Sequence, residues 1–297
     1  MKLEVKKIDA TTRELKFEVP KERVSKKLDQ VYQDIAKEAK IKGFRPGKAP
    51  RHVIEAHHGR LAHDETIKQI IPEVYQEAIA QEKLEPIDMP EIQDVDFKDG
   101  AVSFTARLEI KPEVKVKDYK GVKVKRKSSE ATDEEINKTL ELFKQGQKKD
   151  TQFILDDAFA RELGFPNLED FKSSLRRQLE MDKDRQNRVD VENQIVEQIL
   201  KNAQLTVPSS AVKKQVEHRI RDIRHRLEHQ GMKKEDIDKR IEEMQKELKE
   251  VSERDLRVYF IFEKIAELEQ ITVKEGENMV SKVLAFLLKE AQWEGGK

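Results

Sequence analysis

The chain has no cysteine. It therefore forms no disulfide, offers no thiol nucleophile and builds no cysteine-based zinc site. Aromatic residues make up only 6%, with a single tryptophan. Between positions 122 and 230 the only glycines are Gly146 and Gly164. That stretch holds no phosphate-cradling glycine loop and no run of short strands joined by glycine turns. Neither sign of charge is in excess: 59 Lys and Arg balance 59 Asp and Glu, for a formal net charge of +0. No global field draws the chain to nucleic acid, so any such contact must be local. No apolar stretch approaches the roughly 20 residues of a membrane span. The start, Met1-Lys2-Leu3-Glu4-Val5, has no secretory apolar core. These absences lead us to expect a cytoplasmic protein with no membrane partner.

What is present is charge and periodicity. Charged residues make up 40% of the chain and hydrophobic ones 36%. The apolar residues recur at regular spacings, so the composition reads as long, exposed helices over thin cores rather than disorder. Leu3 and Val5, then Leu15, Phe17 and Val19, alternate as half-buried strands do, around a turn at Asp9-Ala10-Thr11-Thr12. Val24, Leu28, Val31, Tyr32 and Ile35 follow helical spacing. A short helix and then a longer one, carrying Ile67 to Ala78, are expected next. Residues 92–110 predict a hairpin turning at Lys98-Asp99-Gly100. The fold class is thus an α+β N-terminal domain over residues 1–115, an antiparallel sheet with helices on one face. An extended linker follows over 116–131, at most about 50 Å long at roughly 3.3 Å per residue. An extended all-α C-terminal domain fills 132–297. Thr132 and Glu135 form a capping box at its start. Pro208 opens a helix whose stripe is Val212, Val216, Ile220, Ile223 and Leu227, and Gly231 stops it. Ile237, Ile241, Met244 and Leu248 make a further helix. Ser252 with Asp255 is expected to cap a separate one, running through Val258-Tyr259-Phe260-Ile261-Phe262.

Catalytic and metal chemistry find little support. His218, His225 and His229 share a helical face, and the last two have the i, i+4 spacing of metal ligands. That face lies opposite the apolar stripe among arginines, so a solvated polar face is the favoured reading, with no metal. His57, His58 and His63 read as surface. Adjacent acids such as Asp156-Asp157 point different ways on a helix and read as a helix start. No catalytic residues and no cofactor are expected.

The most informative stretch is Gly43-Phe44-Arg45-Pro46-Gly47-Lys48-Ala49-Pro50. The glycines open the turn, and Pro46 and Pro50 stiffen it, with Pro50 suited to the first position of the next helix. Lys40, Lys42, Arg45, Lys48 and Arg51 surround Phe44, with no acid between Ala39 and Ile54. A basic tip with an aromatic anchor suits docking on a polyanion. An ordinary turn with Phe44 folded inward is the competing reading.

This octapeptide closely resembles the ribosome-docking signature of the trigger factor family, bacterial chaperones at the exit of the ribosomal tunnel. Residues 1–115 resemble that family's ribosome-binding domain. Leu155-Asp156-Asp157-Ala158-Phe159-Ala160-Arg161-Glu162-Leu163-Gly164 resembles the start of its helical domain, and Val283 to Ala291 its closing helix. The resemblance implies a chaperone that holds nascent or unfolded polypeptides at the tunnel exit. Gly43, Phe44, Arg45, Pro46, Gly47 and Lys48 would form the ribosome-binding site, with Phe44, Arg45 and Lys48 in contact with ribosomal protein and RNA and Gly43, Pro46 and Gly47 shaping the loop. It also implies a homodimer off the ribosome. Client-binding candidates on the helical domain are Ile237, Ile241, Met244, Leu284, Phe286 and Leu287. The family usually carries an FKBP-type prolyl isomerase domain near position 150; here Gln147-Lys148-Lys149-Asp150 leads almost directly to Leu155, so that domain and its activity are expected to be absent. The C-terminal arm is expected to be shortened as well. A helical RNA-binding or ribosome-assembly factor without client binding is the alternative.

Overall fold

The computed structural model describes residues 1–38, 44, 50–146 and 156–294. In chain order the elements are β1 (Lys2–Lys7), β2 (Thr12–Val19), α1 (Lys21–Glu38), α2 (Arg51–Glu82), β3 (Glu91–Lys98), β4 (Ala101–Glu109), β5 (Lys115–Val116) and β6 (Lys123–Lys125). There follow α3 (Asp133–Gly146), α4 (Asp157–Glu162), α5 (Leu168–Asn202), β7 (Ala203–Gln204), α6 (Ser209–His229), α7 (Lys234–Leu268), α8 (Met279–Glu290) and β8 (Gln292–Glu294). The chain forms two compact units, Met1–Glu113 with Leu205–Arg257, and Val114–Gln204 with Val258–Lys297. This corrects the expected division at 115 and 132. Residues 205–257 belong with the N-terminal part, while 114–131 belong with α5 and α8.

In the first unit the sheet order is β1-β2-β4-β3, antiparallel throughout. The alternation read from sequence sets the register. Leu15 faces Ala106, Phe17 faces Phe104 and Val19 faces Val102. A one-residue slip would turn that whole set to the other face. The rings of Phe17 and Phe104 stack with centroids 4.4 Å apart. Ile70, Val74 and Ala78 of α2 and Val24 of α1 close the same core. The β3–β4 turn needs two positive φ angles, and Asp99 (52°) and Gly100 (81°) supply them. At the β1–β2 turn, Asp9 Oδ1 accepts from the Thr11 and Thr12 amides at 2.8 and 2.7 Å. Its carboxyl is held down at about 2, mainly by the Thr11 amide. Edge strand β1 carries Lys2, Glu4, Lys6 and Lys7, charges that discourage strand addition.

The short helix expected before the longer one is absent: α2 runs unbroken from Arg51 to Glu82, with Pro72 inside it. Pro50 caps it from outside, one position earlier than expected. Arg23 of α1 forks onto Glu77 (2.7 Å) and Glu73 (2.9 Å) of α2, fixing the two helices side by side. Glu109, at the end of β4, accepts from the Ser210 amide (2.9 Å) and from the hydroxyls of Ser209 (2.6 Å) and Ser210 (2.7 Å). A carboxylate thus caps the first turn of α6, where unpaired amides favour negative charge.

The second unit is built on α5. Ile136 and Leu140 of α3, Phe159 and Ala160 of α4 and Phe171 of α5 share one core. The capping box is present: the Thr132 amide donates to Glu135 Oε2 (2.8 Å) and the Glu135 amide to Thr132 Oγ1 (3.3 Å). The expectation of an all-α body is corrected by two short ribbons. β5 pairs antiparallel with β7, and β6 pairs parallel with β8. The segment expected to be a bare linker is extended, yet it lies along α5 under hydrogen bonds. The cap expected at Ser252 does not form, and α7 is one helix. Ser252 is fully buried on the phase that Ile241 and Leu248 establish, and Asp255 is ion-paired with Arg219. The apolar period passes through position 252 without a shift, so nothing breaks the helix there.

Candidate functional site

The octapeptide of residues 43–50 lies in the chain between α1 and α2. Gly43, Arg45, Pro46, Gly47 and Lys48 lie outside the described residues. Phe44 is described and is 41% exposed, contrary to the ordinary turn with an inward Phe. The base of the loop is firmly built. Val31, Tyr32, Ile54 and Ala62 form a small core between the two helices. Arg51 bonds Asp29 (2.5 Å) and Glu55 (2.8 Å), and its guanidinium lies over the Tyr32 ring at 5.3 Å. Its charge is therefore spent inside the hairpin, which corrects its place among the outward basic flank.

The helical candidates divide. Ile237 and Ile241 are buried, with Leu227, in the core at the α6–α7 turn, and Leu287 is buried on α8. These three are corrected to core residues, since a side chain without exposure offers a client nothing. Met244, Leu284 and Phe286 are partly exposed. The Lys120 ammonium lies 5.6 Å from the Phe286 ring.

A cleft lies between α6 and α7, along the apolar stripe of α6. It has a volume of about 880 Å³, with Val207, Val212, Val216 and Ile220 along its floor. Glu217, Lys213, Glu242, Glu243, Lys246, Lys249 and Glu253 rim it. The residues of α7 facing the α6 stripe are charged, so the two helices cannot zip together there and the stripe stays partly open. That mismatch was the available signal: α6 turns Val212, Val216 and Ile220 into the gap, whereas α7 lines it with Glu242, Gln245, Lys246, Lys249 and Glu253, and the buried Leu248 is not part of the lining. The cleft offers weak, adaptable apolar contact within a charged frame. His225 and His229 touch at 3.2 Å between ring nitrogens, both exposed. Among the described residues no group of three His, Cys, Asp or Glu is placed to hold a metal. No helix of the described residues is long and apolar enough to cross a membrane.

Comparison with known proteins matches the chain to two family models. "Bacterial trigger factor protein (TF)" covers residues 1–143, and "Bacterial trigger factor protein (TF) C-terminus" covers 167–291. Trigger factor of Halothermothrix orenii is 26% identical over 410 aligned positions, covering 99% of this chain and 96% of that one. Trigger factor of Desulforudis audaxviator is 39% identical over 143 residues, 48% of this chain and 33% of that one. A solved chain from work on promiscuous substrate recognition in folding and assembly by the trigger factor chaperone superposes with a TM-score of 0.60. It is 14% identical, with 98% of this chain and 100% of that one covered, a likeness of fold. Two models of one family thus account for nearly the whole chain, and the chain belongs to the trigger factor family of ribosome-associated chaperones.

Proposed function

We propose that the protein is a cytoplasmic holdase that docks at the ribosomal tunnel exit through residues 43–48 and holds unfolded segments in the α6–α7 cleft, with no catalytic step. The carrying observation is the cleft itself: an apolar floor within a charged rim, open to solvent. Such a surface binds many sequences weakly and releases them, which a holdase requires. Met244, Leu284 and Phe286 remain secondary client contacts in this reading; Ile237, Ile241 and Leu287 are set aside. Phe44 buries against the ribosome, while Arg45 and Lys48 meet its acidic or phosphate groups, RNA included. A homodimer off the ribosome belongs to the same reading.

The absence of prolyl isomerase activity also belongs to it. The alignment to the Halothermothrix orenii relative runs over 410 positions, whereas this chain has 297 residues. More than a hundred positions of that relative, the size of a domain, therefore have no counterpart here. The 144–166 interval between the two matched regions is too short to hold such a domain. The RNA-factor alternative is not favoured, because net charge is zero and the aromatics needed for base stacking are scarce. The test is dilution of a chemically unfolded model protein with and without the full chain. Suppressed aggregation in the absence of RNA is expected. Failure to suppress, together with retained ribosome binding, would return the reading to a structural ribosome factor.

A further inference from the structure

One face of α5 carries Asn187, Gln194, Gln198 and Asn202, and all four amides are turned on main chain. The Asn202 amide donates to the Asp118 carbonyl (3.3 Å) and Gln198 to the Lys123 carbonyl (2.6 Å). Gln194 makes a two-way contact: it donates to the Lys125 carbonyl (2.9 Å) and accepts from the Lys125 amide (2.8 Å). Asn187 donates to the Lys127 carbonyl (2.9 Å). The geometry explains the match. Four residues of helix rise about 6 Å, and two residues of strand about 6.6 Å, so Gln198 and Gln194 meet Lys123 and Lys125 in step. Residues 122 and 124 turn the other way. Val124 lies opposite Trp293 in the β6–β8 ladder, and the Val122 carbonyl accepts from the Gln292 amide at 2.9 Å.

Amides that bond to backbone read a feature every polypeptide shares. The segment has anchors besides these amides: the Tyr119 hydroxyl donates to Glu269 (2.6 Å), the Lys120 ammonium pairs with the same carboxylate (2.8 Å), the Gly121 amide donates to the Glu290 carbonyl (3.2 Å), and β6 ladders onto β8. Four of its other ion pairs, Lys123 and Lys125 with Glu294, Arg126 with Asp184 and Lys127 with Asp190, join largely exposed groups and are screened by water. Its buried apolar anchors are Val122 and Val124, two residues apart. We propose that this amide row is a second polypeptide site, specific for an extended segment with apolar side chains at alternate positions, and that the chain's own residues 118–127 occupy it until such a segment displaces them. The inference rests on the chaperone reading above, but its site, in the second unit, is separate from the α6–α7 cleft.

The absence of cysteine allows a direct test in the full chain. Lys123 and Gln292 are register partners on exposed positions of β6 and β8. Adjacent strands run about 4.8 Å apart, within disulfide reach. In Lys123→Cys/Gln292→Cys, oxidation locks the segment in place and reductant frees it, with every amide of α5 retained. The probe is a reduced, carboxymethylated protein that stays unfolded. Its binding should weaken roughly tenfold on oxidation, the equivalent of one or two net hydrogen bonds, and recover on reduction, while the cysteine-free parent shows no redox response. Hydrogen exchange at the Lys125 amide should quicken when the probe is added. Equal binding by locked and freed forms, or an unchanged Lys125 amide, overturns the proposal and leaves the chaperone reading standing. Failure of the parent itself to bind the probe removes that reading and this inference together.

Discussion

At Phe44 an aromatic ring stands 41% exposed on a loop whose base is fixed by Arg51, Tyr32 and Ile54. Burying a Phe fully is worth roughly 1.5–3 kcal/mol, so a partner that covers the exposed part gains a useful share without ordering the loop base. Phe44→Ala should weaken ribosome co-sedimentation, and Phe44→Ala with Arg45→Ala and Lys48→Ala should abolish it with circular dichroism unchanged. Sedimentation of the triple variant at the parent's level would show that the octapeptide does not dock. Two carboxylates supply a pH signature. Asp9 is held at about 2 by the Thr11 and Thr12 amides. Glu135 is lowered from the ordinary value of 4.5 to about 2 by the Lys183 ammonium first and the Thr132 amide second. Both pKa values are depressed on folding, so their contribution is present at neutral pH. It disappears as pH falls from about 4.5 toward 2. The thermal midpoint should drop across that window, and Asp9→Asn/Glu135→Gln should flatten the drop. A drop of equal size in the variant would place the acid sensitivity elsewhere.

At the scale of elements, Ser252 decides between two readings of α7. Were it an N-cap, Ser252→Ala would cost about 0.5–2 kcal/mol. In the unbroken helix its hydroxyl is fully buried and finds no hydrogen-bond partner among the described residues. Removing an orphaned polar group stabilises by about 1 kcal/mol. Ser252→Ala should therefore raise the thermal midpoint, and a fall would restore the cap. The strands of the first unit, the Asp99-Gly100 turn and the Thr132–Glu135 box were legible because each is written in residues a few positions apart. Two other features were not. Core and client-facing stripes share one period, so burial of Ile237, Ile241 and Leu287 and exposure of the Val216–Ile220 floor depend on what α7 presents across the gap. The amides of α5 and the segment they hold are 60 to 84 positions apart in the chain, and hydrophobic periodicity does not register polar side chains at all. Nor does the exposure of Phe44 follow from the turn residues around it, since an inward Phe uses the same glycines and prolines.

At the scale of the whole molecule, more than a hundred aligned positions present in a relative are missing here, and function must come from surfaces that remain. Uncatalysed prolyl isomerisation takes tens to hundreds of seconds, so even modest catalysis by the purified chain would be visible. None is expected, and an acceleration proportional to protein concentration would overturn the reading of the 144–166 interval. In the proposed function client holding rests chiefly on the α6–α7 cleft. Val216 and Ile220 are only partly buried on its floor, so truncating them removes client contact, although Ile220 also packs against the Leu227, Ile237 and Ile241 core and its loss costs the fold some stability. A client covering both would gain on the order of 1 kcal/mol from each, about thirtyfold together. Val216→Ser/Ile220→Ser should therefore need many times more protein than the parent to suppress aggregation of an unfolded substrate, while sedimenting with ribosomes as the parent does. Parent-like suppression by this variant would move client binding out of the cleft. Loss of ribosome binding alongside would mean that the substitutions damaged the unit to which both α6 and residues 43–48 belong.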